Sequence, residues 1–346
     1  MSTNVWPREP ASGERLGAAE IRRQPEDFRV EELPSWQPSG DGEHDVLWVE
    51  KREANTQWVA DRLARFADVR RGAVSYAGLK DRFAVTRQWF SVHLPGRQVD
   101  WSALQDAAFD VLQVARHHRK LRIGTLAGNR FRIRLFHAAI TPQALDERIA
   151  RLREHGCPNY FGPQRFGHDG ANLRLAEALA NGRRLPRHKR GFALSAARAQ
   201  IFNAVLEQRV LASTWARNID GDVAMMEGSN AVFATADESA DTLVQRFADH
   251  DIHPTGPLWG DGKPMTAGTA AALEHEVADT LPVLTAALVN ARMAQARRSL
   301  RVTLADLERE PVSDQISDLC FSLPPGSYAT AVLNEVAELN GVGSPA

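Results

Sequence analysis

Residues 74–90 hold the densest run of potentially reactive side chains in the sequence, and Asp81 sits at its centre. The residues before it read as a strand and Gly78 opens a turn, so Asp81 is expected in a short loop between Lys80 and Arg82. Cations within a few ångströms favour an ionised carboxylate, which suits a nucleophile or a base rather than a general acid. Spacing alone also fits an ordinary acidic residue in a charged turn. The parts of several other chemistries are missing. There is no glycine-rich phosphate loop, no HExxH, no CxxC and no Gly-x-Ser-x-Gly, which excludes the usual equipment of nucleotide hydrolysis, zinc catalysis and a hydrolase elbow. His117 and His118 are adjacent, a spacing expected to point their rings apart in a strand and so to disfavour a shared metal.

A second dense segment covers residues 158–167, with Asn159, Tyr160, Phe161, Gly162, Gln164, Arg165, Phe166 and Gly167. Aromatic rings, glycines and a guanidinium in one loop supply planar faces and a phosphate-directed fork, as in the binding of single-stranded or looped RNA. A tightly packed hinge between domains leaves the same pattern.

Charge is balanced overall but unevenly placed. Lys+Arg number 42 against 43 Asp+Glu, a formal net charge of -1, which excludes a histone-like, charge-dominated binder. Residues 116–122, with Arg116, Arg119, Lys120 and Arg122, form one basic run, residues 183–190 form a second, and the chain turns acidic between about 220 and 280. Such asymmetry fits one face meeting a polyanion; two solvated loops are the plain alternative. The 346 residues, 43% hydrophobic and 25% charged, suit two domains with packed cores and exclude disordered, collagen-like and coiled-coil classes. No apolar run of about 18 residues occurs and the first residues lack a secretory pattern. Cys157 and Cys320 are the only cysteines, too few for a disulfide framework or a thiolate metal site. The expectation is a soluble protein of a reducing, cytoplasmic compartment.

The elements that must carry these residues can be read from periodicity. Alternation predicts strands over 27–33 and 44–51, then around 73–79, 88–94, 109–115 and 129–136. In the last of these, Phe131, Ile133 and Leu135 face one way and Arg130, Arg132 and Arg134 the other, an arginine stripe that either meets solvent or receives phosphates. Asn55 or Thr56 caps a helix carrying Val59, Leu63, Phe66 and Val69. From about 142 the period becomes helical, with a boundary near 155, a long helix capped by Ser195, a helical stretch over roughly 270–299, and a final strand at 320–323 with a helix over about 329–339.

Taken together, 78–81 (Gly-Leu-Lys-Asp) with Ala84–Thr86 and Gln88-Trp89, then 159–167, then Leu194–Arg198 with Phe202-Asn203, resemble the tRNA pseudouridine synthase D (TruD) family. Pro25-Glu26-Asp27-Phe28 and 323–330 extend the resemblance over nearly the whole chain. It implies an α+β fold: a pseudouridine-synthase catalytic domain on a mixed, mainly antiparallel sheet (residues 1–154 and 306–346), with a helix-rich TruD-specific domain (155–305) inserted before the last strand and helix. It also implies isomerisation of uridine to pseudouridine in tRNA, at position 13, without metal or other cofactor, by a monomer that needs no membrane and no obligate protein partner. Asp81 matches the catalytic aspartate, and Phe28, Asn129 and Tyr328 match positions that contact the target uridine. Arg22 stands where a lysine is expected, as a cation to pair with Asp81. Tyr328 replaces a phenylalanine, so its hydroxyl must find a partner if buried. Arg119, Lys120, Arg122 and Arg165 are the candidates for the RNA backbone. An RNA-binding or remodelling protein of the same fold, for which Asp81 is dispensable, is the competing expectation.

Overall fold

A computed structural model describes residues 6–340, and the chain divides by contact into two compact units. Ala19–Pro142 and Asp306–Gly326 make up the first unit; the other described residues make up the second. The last segment thus divides differently from the expected domain limits: residues 306–326 group with the first sheet, and those from Ser327 on group with the residues from Gln143 onward.

In the first unit the alternating segments become strands. The sheet runs in the order Glu308–Ser313, Ile316–Leu323, Gly128–His137, Phe28–Leu33, Val85–His93, His44–Arg52 and Phe109–His117. Along this path Phe28–Leu33 is parallel to Val85–His93 and every other neighbouring pair is antiparallel. Alternation fixes the faces: Phe131, Ile133 and Leu135 are buried, with the arginines opposite. The helix Thr56–Phe66 starts where the Asn55 side chain accepts the Gln57 N–H. Val59 and Leu63 join Leu47, Val49, Phe90 and Val92 of the sheet in one core, while Phe66 stays partly exposed. At Gly128 a Cβ would fall 2.5 Å from the Leu323 carbonyl oxygen, so only glycine lets these strands close immediately before Asn129.

The second unit is built on a 25-residue helix, Arg187–Leu211. Its Ile201, Phe202 and Leu206 pack with Tyr160, Phe166 and Leu173. An antiparallel sheet accompanies it, in the order Val232–Ala234, Val223–Met226, Ile252–Leu258 and Ala296–Ser299. The helix begins after Pro186, eight residues before Ser195, which is therefore interior. The stretch over 270–299 is not one helix. Pro282 has no amide hydrogen and preorganises a first turn, so Gly268–Asp279 ends and Pro282–Asn290 begins anew, followed by the strand Ala296–Ser299. The closing helix is shorter than expected, Ala329–Asn334.

Candidate active site

Asp81 occupies a loop between the strands Val74–Tyr76 and Val85–His93, and its side chain is 25% exposed. Both carboxylate oxygens are held: Oδ1 accepts the Phe83 N–H at 3.1 Å, and Oδ2 lies 2.7 Å from Arg22 Nη2. Arg22 takes a left-handed backbone conformation, φ 62°, and its guanidinium lies over the Phe28 ring with the central carbon 4.0 Å from the centroid. Burial pulls the Arg22 pKa below its ordinary value while Asp81 acts to raise it. An arginine guanidinium keeps its proton in proteins, so Arg22 remains a cation beside Asp81.

The loop itself is tied down by residues distant in sequence. Lys51, fully buried, donates from Nζ to the carbonyl oxygens of Ala54 (2.7 Å) and Asp81 (2.8 Å). Thr56 Oγ1 accepts the Lys80 N–H and donates to Gln88 Oε1, and Gln88 Nε2 donates to the Gly78 carbonyl oxygen. Burial lowers the Lys51 pKa to about 8, partly offset by the attraction of Asp81 and reinforced by the repulsion of Lys80. Lys80 does not flank the Asp81 carboxylate as its sequence position suggests. Its Nζ forms a buried ion pair with Glu32 Oε2 at 2.9 Å, while Glu32 Oε1 accepts the Trp89 N–H. Arg82 is exposed, its guanidinium carbon 5.4 Å from the Phe83 ring centroid. The cations that serve Asp81 are thus Arg22 and Lys51. Sequence reading missed Lys51, Glu32, Thr56 and Gln88, and the only available signal was that Gln88 falls in the motif-bearing run.

Phe28 is buried, edge-on to Phe131 at 6.3 Å between centroids. Asn129 pairs with Glu32 across one strand boundary and with Leu323 across the other. Its Oδ1 is buried and has no hydrogen-bond partner among the described residues, so an acceptor stands unused on the ladder partner of Glu32, the residue that anchors Lys80.

Tyr328 and Arg165 belong to the second unit. The Tyr328 hydroxyl finds its partner in Arg165 Nε at 2.7 Å, and Arg165 Nη1 donates to Ser195 Oγ at 3.0 Å. The ring of Tyr328 stands edge-on to Phe161, which lies under Arg298, whose guanidinium carbon is 4.2 Å from the centroid. Burial lowers Arg298 to about 10, so it stays charged. At Gly162 a Cβ would meet Thr330 Oγ1 at 2.4 Å and Tyr328 Cδ1 at 2.9 Å, which explains the glycine beside this ring. Tyr160 and Phe166 are core residues, fully buried, and do not offer the open planar faces expected of this loop. Arg165 is occupied at Nε and Nη1 by protein oxygens rather than left as a free fork.

The expected backbone cations differ among themselves. Arg119, Lys120 and Arg122 are exposed and none is in a salt bridge among the described residues. Between them Leu121 is buried against Val46 and Trp89, with its N–H bonded to Ser91 Oγ. Arg116, in the same run, pairs with Asp45 at 2.7 Å. The arginine stripe is largely neutralised: Arg132 and Arg134 both bond Asp318, and Arg132 also meets Glu310. The rings of His117 and His118 do not point apart; their centroids are 4.5 Å apart because the strand ends at His117. No helix among the described residues is long and apolar enough to cross a membrane.

Comparison with known proteins gives the family from sequence and a similar fold from a solved structure. The family model described as tRNA pseudouridine synthase D (TruD) matches residues 12–183 and 174–336. A protein named tRNA pseudouridine synthase D from Methylococcus capsulatus is 46% identical over 338 residues, 97% of this chain and 95% of its own length. Proteins of the same name from Pseudomonas putida KT2440 and Xanthomonas euvesicatoria are 44% and 42% identical, over 96% and 99% of this chain and 95% and 96% of theirs. A solved structure from Methanosarcina mazei described as tRNA pseudouridine synthase D (TruD) is similar in fold, with a TM-score of 0.75 at 19% identity, covering 96% of this chain and 97% of that one. The chain belongs to the tRNA pseudouridine synthase D (TruD) family.

Proposed function

We propose that this protein isomerises uridine to pseudouridine in tRNA, at position 13, with Asp81 as the group that acts on the ribose. The observation that carries this reading is the arrangement of Asp81: a partly exposed carboxylate between the Arg22 guanidinium and the Phe83 amide, on a loop held by Lys51. The reaction breaks the N1–C1′ bond, turns the uracil while it is held and joins C5 to C1′; C5 then loses its proton and N1 gains one, so atoms and charge balance. It is neither a redox nor a hydrolytic change, so it requires no co-reactant. A carboxylate serves by attacking C1′ or by removing the C2′ proton to give a glycal, and the same Asp81 geometry supplies either. Phe28, Asn129 and Tyr328 are proposed to receive the flipped uridine. The unpartnered Asn129 Oδ1 supports this, because the uracil N3–H is a donor that would satisfy it. A cytoplasmic, monomeric enzyme is the form in which we propose it works.

The test is Asp81→Asn in a purified enzyme with an unmodified tRNA transcript. The amide preserves size and removes the charge, so pseudouridine formation should vanish while tRNA affinity stays within a few-fold. Substantial single-turnover activity in the mutant would overturn the assignment of Asp81, and a parent protein that binds tRNA yet forms no pseudouridine would favour the binding-only reading instead.

A further inference from the structure

Three features at the start of the Arg187–Leu211 helix are costly to the free protein, and nothing among the described residues compensates them. Arg187, Lys189 and Arg190 lie in its first turn with no acidic residue among them, and Arg183 and Arg184 precede it. All five are exposed and none is in an ion pair among the described residues. Cations at a helix N-terminus oppose the macrodipole, so these charges are not there to stabilise the helix. Gly191 follows, inside the helix, where glycine is less favourable than alanine. Its φ is not in the left-handed region and a Cβ there would meet nothing within 4 Å. Neither conformation nor internal packing calls for a glycine at this position. Phe192 is next, 53% exposed.

Helical spacing puts His188, Gly191, Phe192 and Ser195 on one face, and the end of that face is fixed by a contact. Ser195 Oγ accepts from Arg165 Nη1, and Arg165 Nε donates to the Tyr328 hydroxyl. At 1.5 Å per residue, Phe192 stands about 4.5 Å and His188 about 10 Å along the axis from Ser195. The face therefore runs from His188, at a helix start whose flanks carry the unneutralised cations, over bare backbone and an exposed ring, to Ser195 and, through Arg165, the Tyr328 hydroxyl.

We propose that this face binds the single-stranded segment of substrate RNA flanking the target nucleotide. The cations take its phosphates, Gly191 lets the sugar–phosphate chain approach the helix backbone, and one unpaired base stacks on Phe192. Each costly feature then has its partner: phosphates for the charges, chain for the open space and a base for the ring. This deepens the proposed function and rests on its assignment of tRNA as substrate.

The experiment measures tRNA-transcript affinity across a salt series, together with the melting temperature, for three variants. Gly191→Ala is the deciding one. It should raise the melting temperature by about 2 °C, as a better helix former in open space, and yet weaken RNA binding several-fold by covering the backbone. Phe192→Ala should weaken binding about tenfold with an unchanged salt slope, since stacking carries no counterion term. Arg187→Ala/Lys189→Ala/Arg190→Ala should lower the slope of log affinity against log salt by about 2. A Gly191→Ala protein that is more stable and binds as the parent does would overturn the proposal and leave the proposed function standing, as would unchanged affinity in Phe192→Ala. A parent protein that forms no pseudouridine and binds no tRNA would overturn both.

Discussion

Arg22 Nη2 stands 2.7 Å from Asp81 Oδ2 while the same guanidinium covers the Phe28 ring at 4.0 Å. One cation thus orients the carboxylate and, by lying on Phe28, couples its position to that of the ring. Charge-assisted hydrogen bonds to such a group are worth about 1.5–3 kcal/mol. Arg22→Met should therefore reduce single-turnover pseudouridine formation by roughly 10- to 100-fold with tRNA affinity nearly unchanged. Arg22→Lys keeps the charge, loses the planar fork, and should fall between. Equal rates in the parent and Arg22→Met would show that the pair is structural.

Lys51 should set an alkaline limit. Its charge favours the Asp81 loop, and burial lowers its pKa to about 8, so the cation is lost as pH rises through that value. Activity should then fall above about pH 8 in the parent, and this limb should be absent in Lys51→Met, whose rate at pH 7 should be about tenfold lower. Stability moves the other way. The folded pKa lies below the ordinary 10.5, so the unfolded chain binds more protons between the two values, and the cost of burying the charged amine is relieved as pH rises from about 8 towards 10.5. Parallel pH series of rate and of unfolding midpoint, parent against Lys51→Met, check both signs.

What could be read before folding was what depends on near neighbours. Strand alternation put Phe131, Ile133 and Leu135 on one face, and the Asn55 cap preceded its helix, because both are set by residues a few positions apart. The Asp81 loop was readable for the same reason. Its supports were not: Lys51 lies 30 residues away and Glu32 48 residues from Lys80. They meet Asp81 and Lys80 only because Phe28–Leu33 and His44–Arg52 both pair with Val85–His93. The arginine stripe misled by omission, since alternation shows Arg132 and Arg134 on one face but not Asp318 opposite them. Ser195 reads as a cap in the sequence because an interior serine and a capping serine look alike there; the helix starts after Pro186 and leaves Ser195 inside it.

Asn203 should be a stability residue. It is fully buried, its Oδ1 accepts the Phe161 N–H and its Nδ2 donates to the Phe161 carbonyl oxygen, both at 2.9 Å. Asn203→Ala strands two buried backbone groups, each costing about 1–3 kcal/mol, so a loss of about 3 kcal/mol is expected. Asn203→Asp keeps the acceptor only and should be at least as damaging, because it places an unpaired charge there. Urea unfolding of the second unit's transition measures both; a loss below about 1 kcal/mol in Asn203→Ala would mean that water replaces the amide.

The basic turn at Arg119, Lys120 and Arg122 offers a purely electrostatic test. Its backbone is pinned at Leu121, which is buried and bonded to Ser91 Oγ, so the three cations are presented from a fixed support. Of the three, Arg119 acts on His117, whose pKa is lowered first by burial and then by His118 and Arg119. Replacing all three by Ala leaves Leu121 in place and should not lower the melting temperature. If RNA phosphates meet them, each lost contact lowers the slope of log affinity against log salt by roughly 0.7–0.9, so the triple variant should bind more weakly at low salt and lose up to about 2–3 in slope. Turnover of bound RNA should be nearly intact, since phosphate contacts position a substrate without acting on its bonds. Arg116, already paired with Asp45, is the internal control: Arg116→Ala should change the slope little and cost stability instead. An unchanged slope in the triple variant would make this turn a solvated loop.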